Sequence, residues 1–213
     1  MFQPVTLFGL TMPLISFILI GFAIAFLIVT VLARASVTNK LESLFESRLY
    51  DDFLAEVDDP IARFFIPDYN REYLRLNAYL AKGDADKASG TFDRLLTMRS
   101  TAKQRDDLLF RAFQFYMQQE KFKDAKSVLD EMKESGRNAD RVKTSEQTWE
   151  IFGNKSFAYI DEMEAAFDDA PTKLQVSLAL MLAAQYANKK DDVKALAWQD
   201  KAREILETPG EKD

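Results

Sequence analysis

Residues 77–92 read NAYLAKGDADKASGTF, and the stretches FQFYMQQEKFKDAKSVL at 113–129 and AAQYANKKDDVKALAWQ at 183–199 follow the same plan. Each contains a tyrosine followed nine residues later by an alanine: Tyr79 and Ala88, Tyr116 and Ala125, Tyr186 and Ala195. The first two tyrosines are 37 residues apart, and the second and third are 70 apart. The larger gap leaves room for one more unit over 140–171. A period of this size is typical of arrays of stacked helix pairs.

The spacing has a direct physical interpretation. The tyrosine is predicted to lie near the end of one helix, and its ring fills the space beside the next. The alanine lies one turn into that second helix, where a small side chain allows close approach of the backbones. After Ala35 the apolar residues recur three and four apart, without strand-like alternation. Helix stop and start signals separate the segments at Asp58–Pro60, Pro67–Asp68, Gly83–Asp84, Ser135–Arg137, Gly153–Asn154 and Ala170–Pro171.

This pattern resembles the tetratricopeptide repeat family over about Asp68–Leu206, in four units. The family spacing is kept in the first unit by Tyr79, Gly83, Ala88 and Phe92, in the second by Tyr116, Phe122, Ala125 and Leu129, and in the fourth by Tyr186, Ala195 and Ala202. The third unit is degenerate, since Tyr159 occupies the place of a small residue. The full consensus, with its Trp and Gly-Tyr elements, is not met. The resemblance implies an all-α fold, an α-solenoid of antiparallel helix pairs, against the alternative of an unrelated helical bundle.

A long apolar segment precedes the repeats. Residues 13–33 read PLISFILIGFAIAFLIVTVLA, with Ser16 and Thr30 as the only polar members, and the first charged side chain is Arg34. As a helix these residues would span about 31 Å, close to the roughly 30 Å hydrocarbon core of a bilayer. We therefore predict a transmembrane helix in contact with lipid over 13–33, preceded by an interfacial or tilted lead-in. A cleavable signal peptide is the alternative, although the segment lacks a basic n-region.

Flanking charge predicts the orientation of this span. No Lys or Arg precedes it, whereas Arg34, Lys40 and Arg48 follow. The positive-inside rule therefore predicts a single-pass membrane protein with a cytoplasmic C-terminal domain. Gly21 and Ala25 form one small-xxx-small pair, which makes weak homodimerisation through the helix a further candidate property.

Composition excludes several classes of function. The 213 residues include no Cys and no His, which excludes disulfides, zinc fingers, thiol nucleophiles and imidazole-based catalysis. The 34 acidic residues outnumber the 28 basic ones, for a net charge of -6, so we expect no nucleic-acid partner. No nucleophile–base pair or phosphate-binding glycine loop stands out. We therefore expect no enzyme activity, no catalytic residue, no cofactor and no metal site.

The resemblance implies instead a concave surface, lined by the first helix of each pair, that binds a protein or peptide. Spacing from the tyrosines predicts ten inward-facing residues on it: Asn70, Tyr73 and Asn77 in the first unit, Asp107, Phe110, Arg111 and Gln114 in the second, and Arg141, Thr144 and Thr148 in the third. Aromatic rings with amides and two arginines suit a peptide or helix of some acidic character. Ordinary solvated or core positions are the alternative for these residues.

Together these features predict a membrane-anchored protein-interaction scaffold. One alternative is a structural accessory subunit of a multi-subunit membrane complex, and another is an extracytoplasmic chaperone-like or secretion accessory module. The predicted domains are a lead-in and transmembrane helix over 1–35, a helical connector or cap over 36–67, a repeat domain over 68–206 and a flexible tail over 207–213.

Overall fold

The computed structural model describes residues 4–7 and 10–207, and most of these are helical. The chain divides into two compact units, an N-terminal unit of Met1–Arg99 and a C-terminal unit of Ser100–Asp213. Most of the tail predicted to be flexible lies outside the described residues.

The N-terminal unit begins with a short hairpin and one long helix. Strands β1 (Pro4–Leu7) and β2 (Leu10–Pro13) pair antiparallel, so the predicted lead-in is a hairpin. Helix α1 (Leu14–Glu46) follows and continues well beyond the apolar run. Its segment Phe22–Glu46 is long and apolar enough to cross a membrane, a property shared by membrane anchors and signal sequences. Its large apolar side chains between 19 and 32 are exposed to solvent.

Four shorter helices complete this unit: α2 (Tyr50–Asp58), α3 (Pro60–Phe65), α4 (Asp68–Lys82) and α5 (Ala85–Thr97). Helix α3 begins where the sequence predicts, because the Asp59 carboxylate accepts a hydrogen bond from the Ile61 N–H at 2.8 Å and Pro60 occupies the first helical position. The core of the unit is built from the buried side chains of α1 to α4: Val37, Leu41, Phe53, Val57, Ala62 and Ala78.

The C-terminal unit contains six helices: α6 (Ala102–Gln118), α7 (Phe122–Ser135), α8 (Ala139–Phe152), α9 (Ile160–Phe167), α10 (Thr172–Asn188) and α11 (Asp192–Glu207). Helix α6 packs against α7, and α10 against α11, as antiparallel pairs, while α8 packs against α6, α7 and α10. Helix α6 starts with a capping box, in which the Thr101 hydroxyl accepts a hydrogen bond from the Gln104 N–H and the Gln104 side chain accepts one from the Thr101 N–H.

The tyrosine–alanine spacing correctly predicts these pairs. Each tyrosine lies in the last turn of the first helix of a pair, and each alanine lies in the second helix. All three alanines are buried, as are Phe92 and Leu129 four residues after theirs. Between α4 and α5 the chain reverses through Gly83, whose φ of 72° is left-handed and whose lack of a Cβ makes that conformation accessible.

The third unit departs from the pattern. Helix α9 starts only at Ile160 and has eight residues, so Tyr159 precedes the helix and does not lie inside it. Two side chains of α10 hold the intervening loop. Gln185, fully buried, accepts a hydrogen bond from the Tyr159 N–H at 2.9 Å, and Asn188 donates to the carbonyls of Ile151 and Ser156 at 2.8 and 3.0 Å. In this third pair, a loop whose backbone is hydrogen-bonded by side chains of α10 takes the place of the first turn of the second helix.

Candidate functional site

The predicted surface residues fall on the first helices of three pairs, in both units. Asn70, Tyr73 and Asn77 lie on one side of α4, because they are spaced three and four apart. Asn70 is exposed, whereas the other two are half-buried. The ring of Tyr73 stacks on that of Tyr69, with centroids 6.2 Å apart. In the N-terminal unit the candidate surface is thus the ring of Tyr73 flanked by two amides, since Tyr69 itself is buried.

The seven remaining residues lie on α6 and α8 of the C-terminal unit, and three of them make direct contact. The Arg141 Nη1 donates a hydrogen bond to Asp107 Oδ1 at 3.0 Å. The same guanidinium lies 4.9 Å from the centroid of the Phe110 ring, a cation–π distance. Arg141 therefore bridges two helices that belong to successive repeats, and the structure places Asp107, Phe110 and Arg141 in a single cluster.

This cluster is open to solvent. The side chains of Asp107 and Arg141 are 46% and 45% exposed. An ion pair with this exposure contributes about 0–1 kcal/mol to stability, because water and salt screen it. The pair is thus a weak structural element.

Further polar groups flank the cluster. Gln114 and Thr144 are exposed, while Arg111 and Thr148 are half-buried. The hydroxyl of Thr144 donates to the Asp140 carbonyl at 2.9 Å, and that of Thr148 donates to the Thr144 carbonyl at 2.8 Å. Since both hydroxyl protons are used within α8, these oxygens remain available as acceptors. The surface thus offers an amide, a guanidinium, an aromatic ring and acceptor hydroxyls.

Acidic residues on and around α9 form ordinary contacts. Glu162 pairs with Lys143 at 3.0 Å, and the Tyr186 hydroxyl donates to Glu164 at 2.6 Å. That hydrogen bond raises the pKa of Tyr186, because it disfavours a second negative charge beside the carboxylate. Within residues 4–7 and 10–207, no group of acidic side chains is arranged to hold a metal ion.

Sequence reasoning missed a cluster of charges in the N-terminal unit. Arg71 and Glu72 on α4 are buried, which is rare for charged residues unless they are paired. Glu72 pairs with Arg75 and, at 3.0 Å, with Arg94 of α5, while Arg75 also pairs with Asp58 at the end of α2. These residues line a cleft of about 610 Å³. The signal in the sequence was two acidic–basic pairs within α4, each with its members three residues apart, a pattern that is equally typical of a solvated helix face.

Solved structures share this architecture. MamA, as an RS-1 ArsTM double mutant, superposes with a TM-score of 0.59 and 18% sequence identity, over 82% of this chain and 94% of MamA. YrrB, described as a TPR protein with an unusual peptide-binding site, gives 0.54 and 19%, over 81% of this chain and 86% of YrrB. The chain has a tetratricopeptide-like fold. A further MamA structure, MSR-1 C2, gives 0.53 and 18%, over 82% and 97% of the two chains.

No protein-family model matches the sequence, and no curated protein matches it either. The fold assignment therefore comes from the structure and agrees with the repeat pattern in the sequence. Low sequence identity is common in helical repeats, because only a few packing positions in each pair are constrained.

Proposed function

We propose that this protein is a membrane-anchored interaction scaffold that binds a partner protein or peptide through the first helices of its repeats. The observation that carries the proposal is the cluster of Asp107, Phe110 and Arg141, which joins α6 to α8 at an exposed surface. The tetratricopeptide-like fold supports it, since helical repeats of this class present extended binding surfaces. The proposed mechanism is binding alone, and it requires no catalytic residue, cofactor or nucleic acid.

The composition of the α6–α8 surface suggests the chemistry of the partner. A half-exposed arginine on an aromatic ring is well placed to receive a carboxylate, and arginine and aromatic side chains contribute strongly to binding at interfaces. Gln114 and the threonine oxygens supply hydrogen bonds for an extended or helical backbone. The proposed partner is therefore a peptide or helix with acidic residues. One of its carboxylates would replace that of Asp107 as the ion-pair partner of Arg141.

A photo-crosslinking residue at Gln114 tests this proposal. In intact cells it is expected to capture a discrete partner, because Gln114 is exposed on α6 beside the cluster. Lys123 is the matched control: it is exposed on α7, the second helix of the same pair, and the same probe there is expected to capture nothing comparable. The charge reversal Arg141→Glu should abolish most of the Gln114 crosslink by repelling an acidic partner.

Two results would contradict binding at this surface. Equal capture from Gln114 and Lys123 would mean that the contact is not restricted to the first helices. The second is a Gln114 crosslink that persists in the Arg141→Glu variant, while circular dichroism shows unchanged helical content. Arg141 would then take no part in binding the partner.

Membrane anchoring is the second part of the proposal. The apolar and exposed side chains of α1 support a single-pass helix, and the three basic residues between positions 34 and 48 support a cytoplasmic C-terminal domain. Anchoring restricts the scaffold to two dimensions, which raises its effective concentration near other membrane components, including a membrane complex as partner. Weak homodimerisation through Gly21 and Ala25 is compatible with this arrangement.

Protease treatment of sealed, right-side-out membrane vesicles tests the orientation. We expect a C-terminal epitope tag to be protected until the membrane is permeabilised, and the membrane-bound protein to keep its full-length mass. Digestion of the tag without permeabilisation would support the extracytoplasmic alternative. Loss of the first 35 residues, read from the intact mass, would show that the segment is a signal peptide.

An accessory subunit of a membrane complex is the second candidate function. Helix α11 favours it, because Val193 and Leu196, spaced three apart on one face, are 82% and 57% exposed. Exposed apolar side chains at adjacent helical positions are typical of a face that packs against another subunit. A stable large particle in mild detergent that dissociates in a Val193→Asp variant would support this function, whereas a free monomer would exclude it.

A further inference from the structure

Helix α3 exposes two large apolar side chains on one side. Ile61 and Phe64, three residues apart, are 58% and 77% exposed. Their neighbours Ala62 and Phe65 pack instead into the core with α1 and α2. Between them in the sequence stands the exposed cation Arg63, which lines the charged cleft of the N-terminal unit. An apolar pair with a basic residue between its members is a pattern found on helices that lie at membrane surfaces.

Contacts between α1 and α2 fix the level of α3 along α1. Near the end of α1, the ring of Phe45 lies 5.4 Å from that of Tyr50 and 5.3 Å from that of Phe53. Further back along α1, Lys40 Nζ lies 2.5 Å from Glu56 Oε2 on α2. Helix α2 therefore runs antiparallel to α1, toward the apolar segment, and it ends close to the level of Val37.

Helix α3 continues from that point and itself packs against α1. Val37, in the core that also contains Ala62, follows the last residue of the apolar run, Ala33, by one helical turn, or about 6 Å. Helix α3 is thus positioned beside the boundary between the apolar segment and the first charge, Arg34. If residues 13–33 cross a bilayer, that boundary is the headgroup region.

The charges around α3 are compatible with this location. Asp58 is neutralised by Arg75 and Asp68 by Arg71, and the Asp59 carboxylate caps α3 through the Ile61 N–H. Arg63 lines the same cleft as Asp58 and Asp68, so a further cation lies near these carboxylates.

We propose that the Ile61–Phe64 face of α3 inserts into the headgroup region of the same bilayer that α1 spans. This inference rests on the proposed membrane anchoring. A second contact beside the transmembrane helix restricts the tilt of the N-terminal unit at the membrane surface. The occupant of the exposed apolar face is therefore the lipid bilayer itself and not a protein partner.

Because the natural chain has no cysteine, single cysteines can be introduced and labelled without removing native ones. The full-length variants Phe64→Cys, Leu49→Cys and Phe26→Cys are labelled with the environment-sensitive dye NBD. They are then reconstituted in vesicles of phosphatidylcholine and phosphatidylglycerol that contain nitroxide-labelled lipids. Leu49 is the matched control, since it is an exposed, large apolar residue like Phe64. It follows the far end of α1, about 18 Å or more beyond Arg34.

The dye at position 64 is expected to lose most of its fluorescence to nitroxides near the headgroups, and the dye at position 49 to keep its fluorescence. Adding Ile61→Ser should weaken quenching at position 64, because the labelled variant already lacks Phe64 and then loses the remaining native apolar side chain of the face. The dye at position 26 separates the hypothesis of a transmembrane anchor from that of an α3 contact with the bilayer. Quenching by deep nitroxides at position 26, without quenching at 64, would overturn the α3 contact and leave the anchor intact. No quenching at position 26 would overturn the anchor and the α3 contact together.

Discussion

Replacing Phe92 by alanine is expected to destabilise the N-terminal unit by about 3–5 kcal/mol, because the ring is fully buried and its removal leaves a cavity. Phe92 lies in α5, four residues after the buried Ala88, on the face that packs against α4. The loss therefore falls on the contact that holds the first helix pair together.

Phe64→Ala is the matched control, since it makes the same chemical change in the same unit at a side chain that is 77% exposed. Its expected cost is under about 1 kcal/mol, because only an edge contact with Phe65 is lost.

Amide hydrogen exchange of the α4 and α5 segments in detergent is the appropriate measurement. Both tryptophans, Trp149 and Trp198, lie in the C-terminal unit, so tryptophan fluorescence would not report on Phe92. Equal protection in the Phe92→Ala and Phe64→Ala variants would mean that Phe92 does not hold α4 and α5 together.

Much of the fold could be predicted because its determinants are local. Proline at the start of α3 and a left-handed glycine after α4 act on the backbone within one turn, so the sequence places these helix ends correctly. The Tyr–Ala spacing is nearly local as well, because nine residues cover one tight reversal between two helices. Tyr116 and Ala125 accordingly lie in the interface between α6 and α7.

Part of the candidate site follows from the repeat period. Asp107 and Arg141 are 34 residues apart, one repeat, which places equivalent positions of successive first helices side by side. Both residues were predicted to face inward, but their pairing with each other was not predicted. The repeat period together with the opposite charges of the two residues is enough to predict this ion pair.

Other features depend on distant contacts that no local pattern reveals. The loop before α9 exists because Gln185, 26 residues away, satisfies the Tyr159 N–H. Glu72 is buried because Arg94, 22 residues away, helps to neutralise it. Similarly, Ile61 and Phe64 resemble core residues in the sequence, and only the packing of Ala62 and Phe65 shows that α3 turns them outward.

The second large effect is expected at the alanine of the second repeat. Ala125→Leu should destabilise the α6–α7 pair by about 1–3 kcal/mol, because the added atoms enter a position with no exposed surface and force the helices apart. Ala125 follows the buried Tyr116 by nine residues, so the variant tests the packing interpretation of the spacing itself.

Trp149 can report this change. Its indole N–H donates to the Phe122 carbonyl at 3.2 Å, at the start of α7, and Lys126 lies over its ring at 5.3 Å. Urea titration of the Trp149 emission, in a Trp198→Phe background, measures the loss of stability. Ser127→Leu is the control, because it adds the same side chain to an exposed position of α7, and it is expected to change stability by no more than about 0.5 kcal/mol. If Ala125→Leu costs no more than Ser127→Leu, close approach at the alanine is not what the nine-residue spacing encodes, and the interpretation of the repeat fails at its central position.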